Sequence, residues 1–202
     1  METAKITAQA RIFDVELEAL AIEQISGWLE LLKTWNRKLD LTAAKREPDL
    51  LDVMLSDAFV LSKHLPKGAS VVDIGSGAGA PGLPLAIVRR DLKVTLVEPA
   101  IKRVSFLRTV LSAIGRTDIK LQRGRGEEID AASVDVAISR ATLPPMEWLT
   151  LGASLVRPGG EVWVLLAAED LPISLETSHL ETITYAWPNS GHQRRAARYS
   201  KV

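Results

Sequence analysis

Residues 70–88 read SVVDIGSGAGAPGLPLAIV and hold Gly75, Gly77, Gly79 and Gly82 within eight positions. A tight turn needs one glycine or two; more of them leave main chain bare where a ligand can lie against it. The run follows a short β-branched stretch ending in Asp73 and leads into an apolar segment of helical character. Strand, glycine turn and helix together form the nucleotide-binding opening of a doubly wound sheet, where the helix N-terminus offers free N–H groups. Two ligand classes share these letters. Gly75, Gly77 and Gly79 spell G-x-G-x-G, which suits S-adenosylmethionine, whereas Gly77, Gly79 and Gly82 spell the dinucleotide fingerprint G-x-G-x-x-G.

Three features bear on the choice. Asp73 places a carboxylate before the first glycine, where it can orient the loop and a ligand ammonium; a pyrophosphate gains nothing from that charge. Pro81 and Pro84 stiffen the helix entry and remove N–H donors that a pyrophosphate would use. Glu98 closes the next β-rich run, placed to accept hydrogen bonds from both ribose hydroxyls, which suits either cofactor. No P-loop lysine follows the glycines, which argues against an NTPase. The residues favour S-adenosylmethionine; the bland alternative is that the glycines serve tight packing alone.

A chain of 202 residues with 47% apolar content supports one domain, or one domain with a small extension. Lys plus Arg and Asp plus Glu both total 25, so no overall basic field recruits nucleic acid, and any such binding rests on local patches. The absence of cysteine excludes a disulfide framework and thiolate chemistry, including C5 methylation of pyrimidines through a covalent adduct. His64, His179 and His192 offer no metal-ligand spacing, so no metal is expected. The N-terminus carries acids where a secretion signal would be apolar, and no apolar run reaches membrane-spanning length. The expectation is a cytoplasmic protein without a membrane partner.

Residues 1–65 read as a helical extension. Ile25, Trp28, Leu29, Leu32, Trp35 and Leu39 stripe one helix face, and Pro48 suits the first turn of another helix. From residue 66 to 202 short β-branched runs alternate with helical stretches. Strands are expected at SVVDI, KVTLVE, DIKLQ, VDVAIS and EVWVLL, with helices over residues 82–89, 101–114 and 145–155. ETITYAW and the tail HQRRAARYSKV are expected to add one or two edge strands. Runs apolar on both faces, alternating with helices, predict an α/β fold with a mostly parallel, doubly wound sheet.

DIGSGAGAPGLPLAI, VTLVEPAIKRVSFLR and AISRA, with LLKTWNRKLDLTAAKREPDLL before them, resemble the RsmG (GidB) family over residues 31–166. The segments PGLPLAI and KRVSFL are particular to that family among methyltransferases of this fold. The resemblance implies a class I S-adenosyl-L-methionine-dependent methyltransferase, Rossmann-like, acting on guanine N7 in 16S rRNA with the small ribosomal subunit as partner. It also implies a cofactor pocket. Gly75 lies against the methionine part with Asp73, Gly77, Gly79 and Ala80 beside it; Glu98 holds the ribose; Gly126 and Glu127 meet the adenine; Arg140 is the cofactor-site arginine.

Arg140 has an argument of its own, since it follows VDVAIS at the carboxyl end of a strand, where ligands of open α/β sheets bind. Guanine N7 has a lone pair and no proton to lose. Transfer to it therefore needs positioning and desolvation, and no catalytic acid or base is expected. The substrate side is expected near Arg140, Asp57 and Trp148. Trp28, Trp35, Trp148 and Trp163 read more readily as core than as stacking platforms, and Trp148, after Pro144 and Pro145, is the one to test for stacking on a base. Arg123 with Arg125, and the cluster Arg194, Arg195 and Arg198, are candidate phosphate contacts.

Departures from the family pattern fall mainly on the substrate side. Val53 and Met54 replace an Arg-His pair, and Ala167 stands where a lysine falls. Ala80 replaces a bulky apolar residue, and the tail RRAARYSKV replaces an apolar strand. Three alternatives stay open: the same cofactor with another RNA, a protein or a small molecule as acceptor; a non-catalytic module that binds the cofactor or its product; and a nicotinamide oxidoreductase.

Overall fold

The computed structural model describes residues 2–44 and 46–202. Three helices come first: α1 (Glu2–Ile12), α2 (Ala19–Asn36) and α3 (Glu47–Ser62). Pro48 sits in the first turn of α3, where its missing N–H is no loss. Alternation then begins with β1 (Ser70–Ile74), α4 (Gly82–Val88), β2 (Lys93–Glu98), α5 (Ile101–Ala113) and β3 (Lys120–Arg123). A single 3-10 turn at Gly126–Glu128 precedes β4 (Val134–Arg140), α6 (Pro145–Leu155) and β5 (Val156–Leu166). The hairpin β6 (Thr177–Ala186) and β7 (Gln193–Lys201) ends the chain.

The sheet order is β3-β2-β1-β4-β5-β7-β6. Strands β1 to β5 are parallel, and β7 runs antiparallel to both β5 and β6. The order reverses between β1 and β4, so a crevice opens outside their carboxyl ends. The tail departs from the edge-strand expectation. Of the two C-terminal strands β7 is interior and β6 forms an edge, because Ala196 packs on one face of the sheet while Ala197 and Tyr199 pack on the other. A strand with apolar groups for both faces can be covered on both.

Helices α1 to α5 cover one face and α6 the other. Trp28 and Leu32 of α2, Leu55 and Phe59 of α3, and Phe106 of α5 bury against Val71, Leu96 and Ile138. Trp148, Leu149 and Ala153 of α6 bury against Val72, Val97 and Ala137. Helices α1, α2 and α3 thus share one core with the sheet. Alternation along the strands aims the polar residues too. Asp73, Glu98 and Arg140 have the parity of Val71, Leu96 and Ile138, so all three project toward the α1–α5 side. Among the described residues no helix is long and apolar enough to cross a membrane.

Candidate cofactor site and the rim beside it

The loop after β1 turns sharply because Gly75, Gly77 and Gly79 adopt φ of 72°, 56° and 113°. That region costs an L side chain about 1–2 kcal/mol. Gly75 N and Ser76 N donate to Val97 O at 2.8 and 3.1 Å, which ties the loop to β2. Gly82 is small for a different reason. A Cβ there would meet Asp73 Oδ2 and Leu96 Cδ2 at 2.6 Å, so α4 can begin only where that space is free.

Asp73 fastens this loop from beneath. Its Oδ2 accepts from Gly82 N at 3.0 Å, and its main-chain oxygen accepts from Ser76 Oγ at 2.9 Å. The residue is 1% exposed, and Oδ1 has no hydrogen-bond partner among the described residues. Burial pushes its carboxyl pKa up to about 7. Orientation of the loop is as expected, but contact with a ligand ammonium is not. β1 parity seals the carboxylate under α4, and Asp73 is not part of the cleft wall.

Glu98 clamps the loop from its other side, taking Gly77 N on Oε2 and Ala100 N on Oε1, both at 2.9 Å. The helical segment adds a third hold that sequence reading missed. Trp28 Nε1 donates to Ala78 O at 2.9 Å, so α2 grips the crest of the glycine loop. Asn36 Oδ1 accepts from Leu41 N and Thr42 N, folding the segment after α2 onto the cleft.

The cleft measures about 430 Å³ and is walled by the glycine loop, Ala80, Glu98, Arg103 and Arg140, with Leu41, Val53 and Met54 from the helical side. A second hollow of about 250 Å³ shares Gly75, Pro99 and Thr142 with it and extends to Gly126 and Glu127. Together they make one trough with a waist at Gly75. A Cβ on Gly75 would come within 2.7 Å of Thr142 Cγ2 and close that waist. An elongated nucleoside with an amino-acid arm fits such a trough. Bare backbone faces one end, Glu98 stands in the wall, and Gly126 with Glu127 lines the other end.

The family description "GidB: rRNA small subunit methyltransferase G" matches residues 21–186. The chain belongs to this family. Ribosomal RNA small subunit methyltransferase G of Halorhodospira halophila is 37% identical over 151 residues, 75% of this chain and 72% of its own length. The protein of that name from Streptomyces coelicolor is 41% identical over 140 residues, 68% of this chain and 59% of its own length. One from Anaeromyxobacter dehalogenans strain 2CP-1 is 32% identical over 187 residues, covering 88% and 87% of the two chains. Among solved structures, the 1,6-didemethyltoxoflavin-N1-methyltransferase of Burkholderia thailandensis superposes with TM-score 0.57 at 15% identity, over 94% of this chain and 93% of its own. TYW2 of M. jannaschii superposes with TM-score 0.56 at 11% identity, over 80% of each chain. These two share the fold. This GidB chain is a class I methyltransferase whose cofactor is S-adenosylmethionine.

The rim beside the trough in the GidB chain is built by α3 and the β6–β7 hairpin. Arg140 Nη1 donates to Asp57 Oδ2 at 2.9 Å and to Val53 O. Asp57 Oδ1 accepts from the Tyr185 hydroxyl at 2.8 Å and from Trp187 Nε1 at 3.1 Å. Burial, and then the adjacent Asp57 carboxylate, drive the Tyr185 hydroxyl pKa far above its usual value. Asp52, also buried on α3, accepts from Asn189 Nδ2 and Ser190 N at 2.8 Å. Tyr185, Trp187 and Asn189 were not singled out from sequence. The available signal was Asp52 and Asp57 within the largely apolar stretch 50–61, since acids there must find donors when buried.

The other expectations divide. Trp148 is 2% exposed and its indole N–H donates to Trp163 O at 2.9 Å. Because α6 turns it into the core, it presents no free face for stacking on a base. Trp28 and Trp163 are fully buried, as core tryptophans should be. The tail arginines are engaged by protein. Arg198 pairs with Glu161 and Glu181, Arg194 lies 3.8 Å from the Trp187 ring centroid, and Arg195 Nη2 donates to Glu169 O. Arg123 and Arg125 are exposed, and Arg125 lines the trough at its Gly126 end. Ala80 is buried in the cleft wall beside Met54. Ala167 lies in a third, smaller cavity behind Arg140.

Proposed function

We propose that this GidB chain transfers the methyl group of S-adenosylmethionine to N7 of a guanine in 16S rRNA, with the small ribosomal subunit as its substrate. The family match over residues 21–186 carries the reading, and the trough outside β1, β2 and β4 supports it. Gly75, Gly77, Gly79 and Ala80 then line the methionine arm, Glu98 accepts from the ribose, and Gly126 with Glu127 frames the adenine. Asp73 acts through the loop, and Arg140 from the rim. When bound, the cofactor supplies an electrophilic methyl carbon on its sulfonium. The chain contributes placement: the loop held by Asp73, Glu98 and Trp28 fixes one reactant, and the Asp57–Arg140 pair fixes the wall facing the other. No side chain needs to remove a proton, because N7 carries none.

The test offers labelled S-adenosylmethionine and purified protein to small ribosomal subunits from a strain lacking this activity, with nucleosides mapped by mass spectrometry. Label on guanine N7 of 16S RNA is expected. No transfer, with S-adenosylhomocysteine still bound, overturns the reading. A second reading keeps the transfer and changes the acceptor. Val53 and Met54 favour it, since they give the cleft wall apolar groups where the family pattern has an Arg-His pair. Label on another RNA or on protein in a whole-cell extract would establish it.

A further inference from the structure

Behind Arg140 lies a cavity of about 80 Å³, with Arg140 and Ala141 forming the wall it shares with the cofactor cleft. Trp148 comes to it from α6, Ala167 and Glu169 from the segment after β5, and Arg194 from β7. Ala141 itself is held at φ 54°, a conformation an alanine rarely adopts, so the shared wall is a strained turn. A cavity of roughly 150 Å³ encloses one benzene. This one therefore admits the edge of a single planar ring and not a nucleoside. Its polar groups have bonding capacity to spare. Arg140 uses only Nη1 within the protein, and Nε and Nη2 make no hydrogen bond among the described residues. Glu169 Oε2 accepts from Ala167 N at 2.6 Å, and its Oε1 has no protein partner among them.

The geometry points to this cavity as the acceptor-base pocket, with Glu169 as the guanine-specificity residue that accepts from N1–H and N2–H while Arg140 donates to O6. The inference rests on the function proposed above and names how that site selects its base. Guanine O6 and N7 lie on one edge of the ring. A donor on the wall between two cavities that takes O6 thus leaves N7 turned into the cofactor cleft. The N1–H and N2–H donors lie on the other side of O6 and require a group that only accepts, which an ionised carboxylate does. Backbone N–H groups at Glu169 and Ala167 hold that carboxyl pKa below its usual range, so it is ionised at neutral pH. Adenine offers an acceptor at N1 and would face Glu169 unpaired, which gives discrimination by mismatch as well as by attraction. A base read on its Watson–Crick edge reaches such a pocket flipped out of its stack.

The test measures transfer to small ribosomal subunits that lack the methyl group. Glu169→Gln keeps the volume but adds a donor, and should lose about five- to 150-fold in kcat/KM. Its S-adenosylhomocysteine affinity and Tm should match wild type, and Glu169→Asp should recover part of the loss. Ala167→Leu fills the cavity without touching the carboxylate and should also lose kcat/KM with cofactor affinity retained. Wild-type transfer to guanine N7 accompanied by undiminished kcat/KM in both Glu169→Gln and Ala167→Leu overturns the pocket and leaves the proposed function standing. Wild-type protein that labels no guanine N7 overturns the function and this inference with it.

Discussion

Asp73 and Asp57 are both buried carboxylates, 1% and 2% exposed, yet their surroundings differ sharply. Asp57 accepts from Arg140, Tyr185 and Trp187 and joins α3 to β4 and the C-terminal hairpin. Among the described residues, Asp73 has Gly82 N on one oxygen and no donor on the other. A buried acceptor without a donor costs on the order of 1–3 kcal/mol. The rim is therefore a saturated clamp, whereas the loop floor keeps an unmet acceptor sealed under α4. Gly75, Gly77 and Gly79 form the turn above it at φ angles that glycine adopts without a side-chain penalty. Stability is concentrated in the rim, and the capacity to bind in the loop.

The largest effect should come from the saturated side. Asp57→Ala strands Arg140, Tyr185 and Trp187 together, and should lose about 3–5 kcal/mol in urea unfolding. Tyr185→Phe removes one donor and should lose about 1 kcal/mol. If Asp57→Ala unfolds like wild type, the rim is not the clamp described.

The loop is tested by two glycines of equal φ. Gly75 and Gly68 both sit at 72°, but a Cβ on Gly68 meets nothing within 4 Å. Alanine at either position should lose about 1–3 kcal/mol of stability from strain. Only Gly75→Ala should also weaken S-adenosylhomocysteine binding, by more than about tenfold on the scale of 1.4 kcal/mol per decade. Equal affinity of the two variants by calorimetry would break the assignment of the waist.

A smaller effect follows from protonation. With a pKa of about 7 against an ordinary 3.8, folded Asp73 holds a proton that the unfolded chain releases. Its stabilising contribution is thus complete below about pH 4 and is lost as pH rises to about 7. Asp73→Asn removes this dependence, so unfolding free energy should fall less steeply for the variant than for wild type between about pH 5 and 8. The smallest effect is expected at the shared wall. Ala141→Gly relieves the left-handed turn and should gain up to about 1 kcal/mol, read as a higher urea midpoint.

Much of the loop region was legible because its constraints are local. The β-branched run SVVDI and the run KVTLVE each become one strand, and the segment starting at Pro145 becomes a helix ending at Leu155. The rim was not legible, since its partners lie far apart in the chain. Asp57 meets Tyr185 across 128 positions, and Trp28 meets Ala78 across 50. Trp148 was open to two readings for the same reason: two prolines before it suggest an exposed mouth, while the burial of α6 against β4 and β5 puts its ring in the core.

What the sequence determined by itself is whatever depends on neighbours in the chain: the glycine turn and the alternation of faces within each strand. Alternation is a property of the extended backbone and needs no partner. Tertiary structure alone decided which buried acid is satisfied, that β7 lies between β5 and β6, and that Arg140 separates two cavities. Those outcomes depend on long-range packing, where each buried donor and acceptor takes the partner that the assembled core brings within reach.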